Sequence, residues 1–135
     1  MKVLKVAAVL ESISAATEFI DALLEEHGCP TKAQMQIDIA IDELLANISH
    51  YAYAPGTGDA EIGYDYDEAS RTVSVMFKDS GIPFNPLEQK EPDIKASLAD
   101  RKPGGLGIFM VRKTMDEMEY RRENGYNILI IRKKI

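Results

Sequence analysis

Three short stretches of this sequence carry residue types that can do chemistry. The first is Glu43 with Asn47, an acid and an amide four residues apart. On a helix that spacing makes them surface neighbours. The second is Asp79-Ser80-Gly81-Ile82-Pro83-Phe84, in which a carboxylate is followed by a glycine able to turn sharply. The third is Gly104-Gly105-Leu106-Gly107 before an apolar run. Clustered glycines at a helix start expose backbone N–H groups to an anion. It is not a Walker loop, because no Lys-Ser or Lys-Thr directly follows the glycines.

The elements that must position these residues follow from periodicity. Ile37, Ile41, Leu44 and Ile48 recur at steps of three and four across Thr31 to Tyr53, the mark of one buried helical face. Thr31 with Gln34 three residues on predicts a capping-box start. Glu43 and Asn47 border that apolar stripe, so they are expected to face a pocket. In the segment from Arg71 to Asp79, Val73, Val75 and Phe77 share one side, and Asp79 continues their phase. A carboxylate is thus aimed toward the core at a strand end, where it is costly without a hydrogen-bond donor.

The remaining chain supplies the frame. Lys2 to Leu10 reads as a strand with Leu4, Val6, Ala8 and Leu10 on one side. A helix runs from Ser12 or Ser14 to about His27, ended by Gly28 and Pro30. His27 is expected to act as a favourable charge in its last turn. Pro55-Gly56-Thr57-Gly58 stops the central helix, and Ile62, Tyr64 and Tyr66 alternate with polar residues as a half-buried strand. Ser80 to Pro103 lacks clean periodicity and predicts a lid or binding loop. A helix is expected from Leu106 to about Met115, then a hairpin turned by Asn124-Gly125. The order β-α-α-β-β-lid-α-β-β describes an α+β sandwich with a mixed or antiparallel sheet and helices over one face.

Composition narrows the function. A chain of 135 residues is read as a single domain, 1–135, able to bury a core without staples. A net charge of −6 argues against general nucleic-acid binding, which draws on Lys and Arg against phosphates. Cys29 is the single cysteine, so neither a disulfide framework nor a thiolate metal cluster is expected. No apolar run approaches the roughly 20 residues of a membrane span, and the N-terminal stretch does not read as a signal peptide. A cytoplasmic location is expected, with no membrane partner.

In order and spacing the three stretches resemble the nucleotide-binding motifs of the GHKL ATPase superfamily. The runs IDELLANISHYAY, DSGIPFNP and GGLGIFMV are most similar to the anti-sigma-factor serine/threonine kinases, the RsbW-like branch. The resemblance implies a two-layer α/β sandwich of the Bergerat type with a mixed, mostly antiparallel sheet. It implies ATP or ADP as nucleotide, with Mg²⁺ held by Asn47, and Glu43 as the general base toward a serine or threonine hydroxyl. Asp79 would read the adenine amine, and Gly81 would let the base approach the backbone. Gly104, Gly105 and Gly107 would leave room for phosphate oxygens, while Arg101 or Lys102 would neutralise γ-phosphate charge. Asn85 stands where related sequences often carry aspartate. The implied function is an ATP-dependent protein kinase that binds a sigma factor and phosphorylates a small antagonist protein. The alternative is a non-catalytic ATP/ADP module that switches partner binding through its lid. A homodimer through the exposed sheet face is a further expectation from relatives of this branch.

Overall fold

The computed structural model describes residues 1–88 and 105–135. Strand β1 (Lys2–Ala7) leads through a short turn into α1 (Ile13–Glu26) and α2 (Thr31–Asn47). Strands β2 (Asp59–Asp67) and β3 (Thr72–Asp79) follow, then α3 (Gly105–Thr114), β4 (Glu117–Glu123) and β5 (Tyr126–Lys134). The five strands form one sheet in the order β1-β2-β3-β5-β4. All four pairings are antiparallel, so the parallel component allowed by a mixed sheet is absent from the described residues.

The core lies between the sheet and the helices. Ile62, Val73, Val75, Phe77 and Ile131 meet Ile20, Leu24, Ile37, Ile41, Ile108 and Val111, all at most 2% exposed. Burying side chains of this size contributes about 1.5–3 kcal/mol each relative to exposure. The alternation in β3 is strict, with Val73, Val75, Phe77 and Asp79 buried and the residues between them half-buried. That alternation carries Asp79 inward with its apolar neighbours.

Several boundaries differ from the sequence expectation. Strand β1 ends at Ala7, and Leu10 lies in a 3₁₀ turn, 48% exposed. The capping box does not form: Pro30 takes the N-cap position without a side-chain cap, and Gln34 Nε2 instead reaches Glu25 Oε1 at 3.5 Å. An extended proline before Thr31 already sets the entry of the chain into the helix. His27 Nδ1 pairs with the Tyr64 hydroxyl at 2.7 Å and its ring stacks on Tyr66. Its ring packs against β2. The hairpin turn is as expected, with Asn124 and Gly125 at φ 52° and 82°, the conformation that makes Asn-Gly the favoured pair.

Candidate functional site

The central helix does not simply stop at Asn47. It widens into a π turn over Ile48–Ala52, a distortion that often marks functional positions. The widening brings Ala52 against the turn after β3. Ile82 N–H donates to the Ala52 carbonyl at 2.9 Å, and a Cβ at Gly81 would overlap that same carbonyl. Gly81 is therefore required by its contact with the π turn, a constraint internal to the protein. The Tyr53 hydroxyl fastens the junction from the other side, accepting from Ser80 N–H at 2.8 Å and donating to the Asp59 carbonyl at 2.6 Å.

Asp79 is 6% exposed. Its Oδ1 accepts from Gly81 N–H at 2.9 Å and from Asn127 Nδ2 at 3.0 Å. Its other oxygen takes no hydrogen bond among the described residues and is not among the fully buried orphan atoms. Asn127, 5% exposed, sits directly opposite Asp79 across the β3–β5 pair. Its amide also donates to the Ile82 carbonyl at 2.7 Å, while its oxygen accepts from Phe84 N–H at 3.2 Å and the Tyr120 hydroxyl at 2.6 Å. Every bonding position of that side chain is used. Arg122, paired with Asn127 on β4, adds a hydrogen bond to the Gly81 carbonyl at 2.8 Å.

These contacts frame a small hollow that opens to solvent. Leu44, Ile48, Phe77, Ile82, Phe84 and Leu129 give it apolar walls, and Asn47, Asp79 and Asn127 supply polar groups. A few polar groups among apolar walls is the usual lining of a small-molecule site.

Asn47 and Asp79 thus share one hollow. Glu43 is half-buried one turn before Asn47 and contacts α3, where a Cβ at Gly107 would overlap its carboxylate. Gly105 is the first residue of α3. Gly104, Arg101 and Lys102 lie outside the described residues, as does the lid beyond Glu88. Asn85 has a local duty: its Oδ1 accepts from Leu87 N–H at 2.9 Å and caps the turn Pro86–Glu88. His50 is exposed in the π turn, its ring beside that of Tyr51.

Sequence reasoning missed Asn127, Tyr53 and Arg122. For Asn127 a signal existed: a polar residue in phase with Leu129 and Ile131 on an otherwise apolar strand face. No helix among the described residues is long and apolar enough to cross a membrane.

The chain matches the histidine kinase-like ATPase domain over residues 6–133. It is 31% identical over 100 residues to the serine/threonine-protein kinase BtrW of Bordetella bronchiseptica, covering 74% of this chain and 70% of that one. Against the serine-protein kinase RsbW of Bacillus thuringiensis it is 28% identical over 96 residues, 68% of this chain but only 59% of that protein. The RsbW of Listeria monocytogenes aligns over 94% of this chain and 83% of its own length at 23% identity. Among solved structures, the histidine kinase domain of the blue-light-activated kinase EL346 from Erythrobacter litoralis superposes with a TM-score of 0.60 at 15% identity, over 90% of this chain and 59% of that chain. That likeness speaks for the fold. By the match over nearly its whole length, the chain belongs to the histidine kinase-like ATPase domain family, of GHKL type.

Proposed function

We propose that this protein is an ATP-dependent serine/threonine protein kinase that also acts as an anti-sigma factor. The observation that carries the reading is the hollow shared by Asn47 and Asp79, with Glu43 one helical turn away against α3. The named relatives BtrW and RsbW, both protein kinases by name, support the same class of reaction.

The residues fit the nucleotide. Asp79 presents an acceptor to the adenine amine, and the apolar walls take the faces of the base. Its doubly bonded Oδ1 holds the carboxylate in place, so the second oxygen is already oriented. Asn47 would hold Mg²⁺ through its neutral side-chain oxygen, the ligand type this hard cation prefers. The described residues contain no group of three acidic, histidine or cysteine side chains that would hold a metal alone. When bound, Mg²⁺ would supply charge neutralisation on the phosphates.

Glu43 performs the chain's own chemical step. Its carboxylate accepts the proton of a serine or threonine hydroxyl on the partner protein as that oxygen becomes the nucleophile. Gly107 leaves the carboxylate its space. By the resemblance, Gly104 and Gly105 would leave room for the phosphate oxygens and Arg101 or Lys102 would neutralise their charge. The acceptor is a small antagonist protein, and the second partner is a sigma factor released or held according to nucleotide state. Incubation with Mg²⁺, γ-labelled ATP and the cognate antagonist is expected to label the antagonist on serine or threonine. Nucleotide binding with nucleotide-dependent partner binding but no label would replace the kinase reading with a regulatory module.

A further inference from the structure

The seam between α1 and α2 holds an unresolved piece of chemistry. Asp21 on α1 and Asp38 on α2 each carry one fully buried oxygen, Oδ1, with no hydrogen-bond partner among the described residues. Gln34 and Glu25 meet across this seam at 3.5 Å, and Asp38 and Asp21 stand one helical turn from them on the same two helices, which sets the two carboxyls facing each other. When ionised, both are acceptors only, so neither satisfies the other. Two buried acceptors left this way cost free energy and repel. The surrounding charges do not relieve them. Glu25 of α1 adds a third negative charge to the field at Asp38, and Cys29 in the α1–α2 link is a thiol under the same acidic influence. Among the described residues, Lys133 of β5 bears on Cys29 at this seam, and its ammonium already donates to the Thr114 carbonyl at 2.6 Å.

We propose that the missing partner is a proton, and that Asp21 and Asp38 form one shared-proton pair joining α1 to α2. A single proton turns one carboxyl into a donor and satisfies both orphan oxygens at once. The local environment favours it: burial first, then the hydrogen bond and charge of Asp21, then Glu25, push the Asp38 carboxyl up to about 7. The linkage sign follows. The folded chain keeps this proton until about pH 7, whereas an unfolded aspartate releases it near pH ~3.9. Between those values the unfolded state binds fewer protons, so stability falls as pH rises and levels off above the folded value. Because α2 also carries Glu43 and Asn47, ionisation weakens the support of the site-bearing helix on its α1 side. The pair is a pH-sensitive clamp built into the fold.

Carbon-13 NMR of the side-chain carboxyls in the full chain tests the pair directly. The Asp38 resonance is expected to titrate with a midpoint near 7, and Asp21→Asn is expected to move that midpoint down toward the ordinary carboxyl range. Asp38→Asn replaces the proton with a permanent amide donor. Its melting temperature is expected to stay level from about pH 5 to about pH 8, while the wild type loses about 5 °C across the same interval. An Asp38 midpoint near ~4 in the wild type overturns the proposal. So does a midpoint that drops on adding millimolar Mg²⁺ or Ca²⁺, which would make the seam a cation site.

Discussion

Asn127 Nδ2 donates to Asp79 Oδ1 at 3.0 Å across directly paired positions of β5 and β3. The same side chain holds the Ile82 carbonyl and the Phe84 N–H, so one amide fixes both the carboxylate and the loop beyond it. Removing it in Asn127→Ala leaves buried donors and acceptors unpaired, at a cost of about 3 kcal/mol of stability. Nucleotide affinity is expected to fall about tenfold or more, since the Asp79 carboxyl loses its orientation. Urea denaturation and an ADP titration check the two parts. An unchanged affinity would mean that the Asp79 carboxylate does not depend on this amide.

Asp79→Asn is a narrower change. The amide oxygen can still accept from Gly81 N–H and Asn127, so the turn keeps its internal bonds. The atom facing the hollow becomes a donor where an acceptor is needed. ATP affinity is expected to fall about tenfold or more while GTP affinity changes little. Parallel titrations with the two nucleotides read the difference. Equal losses for both would remove Asp79 from adenine recognition.

Glu43 and Asn47 share a helix face but are assigned different work. Glu43→Ala is expected to leave ATP binding within about threefold and to slow phosphoryl transfer about 10²–10⁴-fold, the range of a lost general base. Asn47→Ala is expected to weaken binding in Mg²⁺ and to matter far less in EDTA. Single-turnover transfer and calorimetry with and without Mg²⁺ separate them. Identical behaviour of the two variants would contradict the division of roles.

Much of this arrangement is legible in the sequence because periodicity and site residues coincide. The phase of Val73, Val75 and Phe77 places Asp79 inward, and the stripe of Ile37, Ile41 and Leu44 leaves Glu43 and Asn47 at its border. What periodicity cannot supply is the identity of long-range partners. Asn127 is 48 residues from Asp79, and only strand register puts them opposite one another. The capping box failed for a local reason, since an extended Pro30 already fixes the helix entry. The π turn also escapes a 3.6-residue pattern, because it inserts a residue where Tyr51 and Ala52 must meet the hollow. Gly81 and Gly107 were legible as glycines, but the neighbours that forbid a side chain there, Ala52 and Glu43, belong to other elements.

Gly107→Ala exploits that last contact. A Cβ there would overlap the Glu43 carboxylate and lie 3.2 Å from its Cγ, so either Glu43 or α3 must shift. The obstructing atoms are the far end of a flexible side chain and alanine is the better helix former, so stability is expected to change by less than about 1 kcal/mol. Transfer should fall about 10²-fold as the carboxylate is displaced, with ATP affinity less affected. The pair with Glu43→Ala makes the argument decisive, because truncating Glu43 removes the obstacle. In a double-mutant cycle, Gly107→Ala is expected to be more favourable for stability in the Glu43→Ala background than in the wild type, a coupling of about 0.5–1 kcal/mol. Additive effects would show that Gly107 is constrained by something other than the acid it faces, and would leave the position of Glu43 without its support from α3.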